Sequence, residues 1–217
     1  MIIAIDGPAG SGKSTVARQT AKALGYQCVD TGAMYRAITW KAMKQGINLE
    51  NETELALLTQ KSCFRFLTDE KDQLVLELDG EDVSSVIRQQ TISENVSKVS
   101  KHPAVRKEMV AWQRRLAQKG NVVVEGRDIG TVVFPNAERK FFIEAKLEAR
   151  VQRRYEELKR REPGVTLESV GQEVAGRDYR DRHREVSPLT KAPDAIYIDT
   201  TSLTPERVVE KILKYVL

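Results

Sequence analysis

The sequence is short of several things, and each shortage excludes something. It has only two cysteines, Cys28 and Cys63, and two histidines, His102 and His183, in 217 residues. None of them falls into a CxxC or Cys/His spacing. A disulfide framework and a metal cage are therefore excluded, and the cysteines read as reduced, mostly buried thiols. Aromatic residues make up 6%, too few for the stacking platforms of a protein that tracks single strands of nucleic acid. No apolar run approaches the roughly 18 residues of a membrane span. No basic segment precedes the first apolar run, so no secretory leader is expected. Charge of one sign is not in excess either: 35 basic residues stand against 31 acidic ones, a net +4. That mild surplus fits anionic small substrates and would also fit weak nucleic-acid binding. Repeats, low-complexity stretches and linkers are missing too. The expectation is a cytoplasmic monomer, one large domain or a domain with inserts, with no membrane and no nucleic-acid partner.

What is present begins at once. Met1 to Ile5 is a short apolar, β-branched run ending at Asp6, and residues 7–14, GPAGSGKS, fit G-x-x-x-x-G-K-[ST]. An Ala-rich helical pattern runs from about Ser14 to Leu24. Strand, glycine loop and helix together form the context this motif requires. The glycines let backbone N–H groups turn toward phosphate oxygens, and the positive end of the helix favours the anion. Gly7, Pro8, Ala9, Gly10, Ser11, Gly12, Lys13, Ser14 and Thr15 are the candidate ATP-binding residues. Lys13 can reach the β- and γ-phosphates, and the Ser14 hydroxyl can be offered to Mg²⁺.

Tyr26 to Asp30 reads as a second strand, Thr31 and Gly32 as a turn, and Met34 to Lys44 as a helix. Asp30, Thr31 and Arg36 thus gather at the end of a strand, where open α/β sheets place ligands. Alternatively Thr31 is only a helix cap and Arg36 a solvated surface residue. Residues 53–90 break the rhythm: Glu54 to Gln60 is helical, and alternating segments at Phe64–Thr68, Leu74–Leu78 and Glu81–Val83 follow as a small antiparallel meander outside the main sheet. Ile92 to Leu116 is helical in two parts with a break at His102–Pro103, and Ser97 and Arg106 lie near that break. Asn121 to Glu125 and Lys140 to Glu144 are buried strands, and TVVFPNAE between them reads as a connector. Ala195 to Asp199 is the last strand and Pro205 to Val216 a closing helix. The whole predicts an α/β fold, a doubly wound, five-stranded parallel sheet with a small antiparallel β insert.

Arginine is abundant beyond the glycine loop. Leu147 to Glu162 carries Arg150, Arg153, Arg154 and Arg160, either a solvated helix face or a cationic lid at about 150–165. Leu167 to Glu185 is a long helical pattern in which Arg177, Arg180, Asp181 and Arg184 share one stripe. Local pairs such as Arg177–Asp181 and Asp178–Arg182 are the alternative to an anion facing that stripe. A second anionic ligand explains the surplus best and points to a kinase whose acceptor is itself a phosphate. A kinase for another small acceptor, or a nucleic-acid-stimulated ATPase, is the alternative.

Set side by side, GPAGSGKST at 7–15, DTGAMYR at 30–36, GEDVS at 80–84, GRDIGTVVFPNA at 126–137 and RDYRDRHREVSPL at 177–189 resemble the bacterial cytidylate (CMP/dCMP) kinase family from end to end. The resemblance implies transfer of the ATP γ-phosphoryl group, with Mg²⁺, to CMP or dCMP in pyrimidine nucleotide metabolism. It implies a core at 1–61, 91–149 and 166–217, a monophosphate-binding insert at 62–90 and a lid at 150–165. By matching position, Arg36 and Arg127 would hold the acceptor phosphate with Thr31 and Asp30 nearby. Ser97, Arg106 and Asp128 would read cytosine, and Arg177 and Asp181 would bind the sugar. Arg154, Arg180 and Arg184 would serve the transferring phosphates, with Lys13, Arg127, Arg180 and Arg184 as the catalytic set. Arg153 is placed as well as Arg154 by sequence. Thr31 stands where the family often has Ser, and Glu125 where it often has Asp.

Overall fold

The computed structural model describes residues 1–70, 73–118, 120–159 and 164–217. In chain order the elements are β1 (Ile2–Asp6), α1 (Lys13–Leu24), β2 (Gln27–Asp30), α2 (Thr31–Lys44), α3 (Glu52–Lys61), β3 (Phe64–Thr68), β4 (Leu74–Leu78), β5 (Glu81–Asp82), α4 (Gln90–Ser100), α5 (Pro103–Ala117), β6 (Val122–Gly126), β7 (Arg139–Glu144), α6 (Leu147–Leu158), α7 (Leu167–His183), β8 (Ile196–Asp199) and α8 (Pro205–Val216). One sheet is five-stranded and parallel, in the order β2-β6-β1-β7-β8, and a second is three-stranded, β3-β4-β5. Ile5 of β1 is level with Phe141 of β7, which is level in turn with Ile196 of β8. The expected fold class is the one observed. No helix among the described residues is long and apolar enough to cross a membrane.

The chain divides into two compact units. The first comprises Met1–Gln27 and Val123–Leu217. Its core is the run of β-branched residues that the central strands bury on both faces, Ile3, Ile5, Val123, Val124 and Ile143, closed by Val16 and Ala17 of α1 and Val208 and Ile212 of α8. Strands buried on both sides read as continuous apolar runs, which is why these short segments were legible. Thr204 caps α8 by accepting from the Arg207 amide, and Pro205 starts it where no N–H is needed. In the same unit α6 and α7 pack as a hairpin on their own small cluster, Val151, Leu158, Val170 and Val174 with Tyr155 and Val165. The predicted lid at 150–165 is therefore a packed helix over its described part, and residues 160–163 of it lie outside the described residues.

The second unit is Cys28–Val122. The meander alternates as predicted: Phe64 and Phe66 are buried while Arg65 and Leu67 are exposed. Phe64 meets Trp112 of α5 edge-on at 5.5 Å, and Lys41 of α2 pairs with Asp79 at 2.7 Å. The meander is thus one face of a larger unit with α2–α5. Pro103 opens α5, and the chain breaks between α4 and α5 where the sequence places it.

Two expectations fail locally. Thr31 and Gly32 are not a turn but the first residues of α2, because Asp30 is the cap: its Oδ1 accepts from the Ala33 amide at 2.8 Å. The connector after β6 is not irregular. Ile129–Val133 forms a single turn of π-helix, in which the Val133 and Phe134 amides reach back five residues to Asp128 and Ile129. Such wide turns occur mostly as isolated features near functional sites.

Candidate active site

The loop after β1 is shaped by close approach. A Cβ on Gly7 would lie 2.1 Å from the Ile143 carbonyl oxygen, and one on Gly10 would lie 2.9 Å from that of Arg150. No other residue fits at either place. Gly10 and Gly12 also have φ of 72° and 89°, open to glycine at little strain. Inside the loop Lys13 is buried and its Nζ donates to the Pro8 carbonyl at 2.9 Å. Ser14, at the start of α1, donates its hydroxyl to Glu125 Oε1 at 2.6 Å. α1 therefore presents a ring of backbone amides at its N-terminus, a lysine across it, and a hydroxyl–carboxylate pair at its edge. Such an arrangement suits the oxygens of an anionic phosphate chain.

Arg150 opens the segment expected to form the lid, and it is anchored. Its side chain is buried, with Nε donating to the Ala145 carbonyl at 2.9 Å and Nη1 to the Ala9 carbonyl at 3.0 Å. The same Nη1 is 2.5 Å from Asp178 of α7. Arg150 is a brace under the phosphate loop, a role its sequence context does not signal. Arg153 is tied to Thr200, donating to its carbonyl and, at 3.2 Å, to its hydroxyl. Arg154 pairs across one turn of α6 with Glu157 at 3.0 Å. That separates two arginines the sequence left equivalent.

After β6 a second cluster forms in the same unit. Arg127 Nε donates to Asp181 at 2.7 Å, and Arg184 lies 3.4 Å from Asp128 Oδ1. Burial works to raise the Asp181 carboxyl, but Arg127 and Arg177 outweigh it and hold it below its ordinary value. Burial likewise works against the Arg127 cation, and Asp181 more than restores it. Of the two expected local pairs, Asp178–Arg182 gives way to Asp178–Arg150 and Arg182–Glu144, the latter at 2.6 Å, while Arg177 acts on Asp181 together with Arg127. The stripe itself needs correction. α7 ends at His183, and Arg184 has extended backbone. The chain doubles back there, with the Leu189 amide donating to the Asp181 carbonyl at 2.8 Å and Arg184 Nε to the Ser187 carbonyl. Arg184 therefore joins Asp128 through a reversed loop and not through helical spacing. Arg180 stays on α7 and is exposed.

Asp6 was passed over as the end of a strand. Its two carboxylate oxygens accept from the Ile129 amide at 2.8 Å and the Gly130 amide at 2.7 Å. Burial pushes its carboxyl up to about 6, against those two hydrogen bonds and with some help from Asp128. The native group thus holds its proton to higher pH than the unfolded chain does. Stability from Asp6 is full below about pH 4 and falls as pH rises toward 6, by about 3 kcal/mol in all. Urea unfolding from pH 3.5 to 7 should therefore show the wild type losing ground to Asp6→Asn across that window. A constant difference would remove the shifted group.

In the second unit, Arg36 Nη2 lies 3.5 Å from Asp30 Oδ2. Asp30 so caps α2 and steers Arg36 with one carboxylate, and Thr31 is buried beside it. Arg106 is buried on α5, with Nη1 donating to the Ser100 carbonyl at 3.3 Å and its guanidinium 5.5 Å from the Tyr35 ring centre. Ser97 is half-buried on α4.

A parallel sheet with a phosphate loop after its central strand, its lysine buried, and an arginine–carboxylate cluster after the neighbouring strand defines a P-loop phosphotransferase. Comparison with known proteins narrows this. The sequence profile of the cytidylate kinase family matches residues 3–217, and the chain belongs to that family. It is 51% identical to a cytidylate kinase of Geobacillus sp. (strain WCH70) over 214 residues, covering 99% of this chain and 95% of the relative. It is 52% identical to one from Caldanaerobacter subterraneus over 210 residues, covering 97% and 92%. A solved shikimate kinase from Acinetobacter baumannii, 19% identical, covers 99% of this chain and 92% of its own at a TM-score of 0.47, too remote for functional comparison.

Proposed function

We infer that this protein transfers the γ-phosphoryl group of ATP to CMP or dCMP, giving ADP and CDP or dCDP. The observation that carries the reading is family membership along the whole chain, at half-identity to curated cytidylate kinases.

Phosphoryl transfer asks for alignment and charge neutralisation, with little covalent chemistry from the protein. The acceptor phosphate is already anionic at neutral pH, so no strong general base is required. We assign residues 7–15 to the ATP phosphates, and Lys13 to the charge that develops on the transferring group. Arg36 and Arg127, with Thr31, hold the acceptor phosphate, and Asp30 directs Arg36. Ser97, Arg106 and Asp128 read the base, whose exocyclic amine a carboxylate can accept from. Arg177 and Asp181 take the sugar, and Arg180 and Arg184 the transferring phosphates. Arg154 serves ATP, a choice supported by the engagement of Arg153 with Thr200. The meander at 62–90 belongs to monophosphate binding and the segment at 150–165 to a lid, as the family resemblance implies.

Magnesium fits the donor set. The ion prefers one or two protein oxygens plus water and substrate phosphate to a cage of carboxylates. Ser14 and Glu125 supply such a pair, and no cluster of three or more metal-ligating acidic, histidine or cysteine side chains occurs among the described residues. Ser14 would hold Mg²⁺ with Glu125 in support, and the ion would supply charge neutralisation on the ATP phosphates. A cytoplasmic monomer serving pyrimidine nucleotide supply completes the proposal.

A coupled ADP-release assay across CMP, dCMP, UMP, AMP and GMP tests it. CMP or dCMP should give the highest kcat/KM. A tenfold preference for AMP or GMP would overturn the acceptor assignment. Hydrolysis of ATP stimulated by RNA but not by CMP would replace it with a nucleic-acid-dependent ATPase.

A further inference from the structure

We propose that Asp6 is a positioning residue for Arg127 and Asp128, clasping the two amides that follow them and tying that segment to the strand end where the phosphate loop begins. The inference rests on the reading above, in which Arg127 and Asp128 bind the acceptor.

β1 is an expensive place for a carboxylate. Its neighbours Ile3, Ala4 and Ile5 are fully buried, and Asp6 is 4% exposed. A buried acid is retained only where hydrogen bonds compensate the lost water. Here each oxygen takes one amide, Ile129 at 2.8 Å and Gly130 at 2.7 Å. These are opening amides of the π-turn, which have no partner within a turn that has only just begun. The fit is close: a Cβ on Gly130 would stand 3.4 Å from Asp6 Oδ2 and 3.2 Å from Lys140 Cδ. The far side of the turn is pinned as well, by Lys140 Nζ on the Pro135 carbonyl and, at 2.7 Å, on Asp194. A turn held at both ends fixes where its first residues emerge. Those residues are Arg127, on Asp181, and Asp128, beside Arg184.

Asp6 is also the residue immediately before Gly7. One side chain thus joins the start of the donor loop to the segment assigned to the acceptor, through two charge-assisted bonds of fixed geometry. A displacement on either side is transmitted to the other. An apolar residue at position 6 would pack β1 equally well and leave the two segments to move apart. The carboxylate is explained by this tie and not by the core.

Asp6→Asn keeps the shape and removes one of the two acceptors, turning an N–H toward an N–H. It should raise KM for CMP about tenfold, leave KM for ATP within about twofold, and speed hydrogen exchange at the Ile129 and Gly130 amides. Gly130→Ala, which presses on the clasp at Asp6 Oδ2 and Lys140 but leaves the carboxylate chemically intact, should show the same asymmetry if Asp6→Asn fails to fold. Faster exchange or a lower Tm with both KM values unchanged would reduce Asp6 to a structural role and overturn the inference. So would a rise in KM for ATP equal to that for CMP. Arg127→Ala separates the two levels. If it raises KM for CMP while the Asp6 and Gly130 variants do not, the positioning role fails and the acceptor reading stands. If Arg127→Ala leaves KM for CMP unchanged, the acceptor reading fails and the inference with it.

Discussion

Arg184→Ala is expected to lower kcat by about 10²–10⁴-fold, the scale of an arginine that stabilises charge on a transferring phosphoryl group. Arg127, Arg177 and Arg184 all act on Asp181 or Asp128. These guanidiniums gather at one place, where a phosphate could be held by several at once. Arg184 is also oriented in advance, since its Nε is held by the Ser187 carbonyl. Arginine presents a planar fork to phosphate oxygens, so Arg184→Lys should rescue only in part. The loss should appear in single-turnover kinetics with the ATP Kd little changed. Arg180→Ala is the companion measurement and the sharper one. Arg180 is exposed on α7, so a folding effect should stay within about 0.5 kcal/mol. A drop of 10²-fold or more in a variant that melts normally then reports chemistry alone. Near-normal turnover in both variants, with only a small change in melting, would remove these arginines from the chemistry.

Lys13→Ala should cost about 10²–10³-fold in kcat, by comparison with other preorganised charge stabilisers. The geometry says why the fold should survive. Lys13 donates to the Pro8 carbonyl of its own loop, whereas the loop's shape is set by the close approaches at Gly7 and Gly10 and by Arg150 beneath it. Removing the ammonium takes charge from the phosphate site and leaves that frame in place. Circular dichroism and Tm should match the wild type while turnover collapses. Wild-type turnover in the folded variant would refute the role.

What could be read from residues alone was what local rules govern. The phosphate loop was legible because close backbone approach, left-handed φ and a helix N-terminus all leave marks at fixed spacing. The parallel strands were legible because burial on both faces demands continuous apolar runs, and the meander because burial on one face demands alternation. The break at His102–Pro103 followed from the constraint a proline places on the residue before it. Family resemblance added Arg127 and Asp128 and gave roles to Arg36 and the arginines of residues 177–184, already singled out by position and spacing, without stating which partner each would take.

The partners were decided by the tertiary structure. Asp6 meets Ile129 and Gly130 across more than 120 residues of chain, and Ser14 meets Glu125 across 111. No local pattern records such meetings, because a hydrogen bond between distant segments is fixed by strand order, and strand order is set by the packing of the whole sheet. Arg184 shows the same limit at short range: helical spacing predicted its face, but a back-folded loop anchored by Leu189 moved it beside Asp128. Arg150 and Arg154, four residues apart on one helix, look alike in sequence. They share a face of α6, yet one is buried under the phosphate loop and the other is not, since only tertiary packing decides what each length of that face meets. The sequence by itself determined which chemistry the chain carries; the tertiary structure determined which charged groups hold one another in place and which stand ready for substrate.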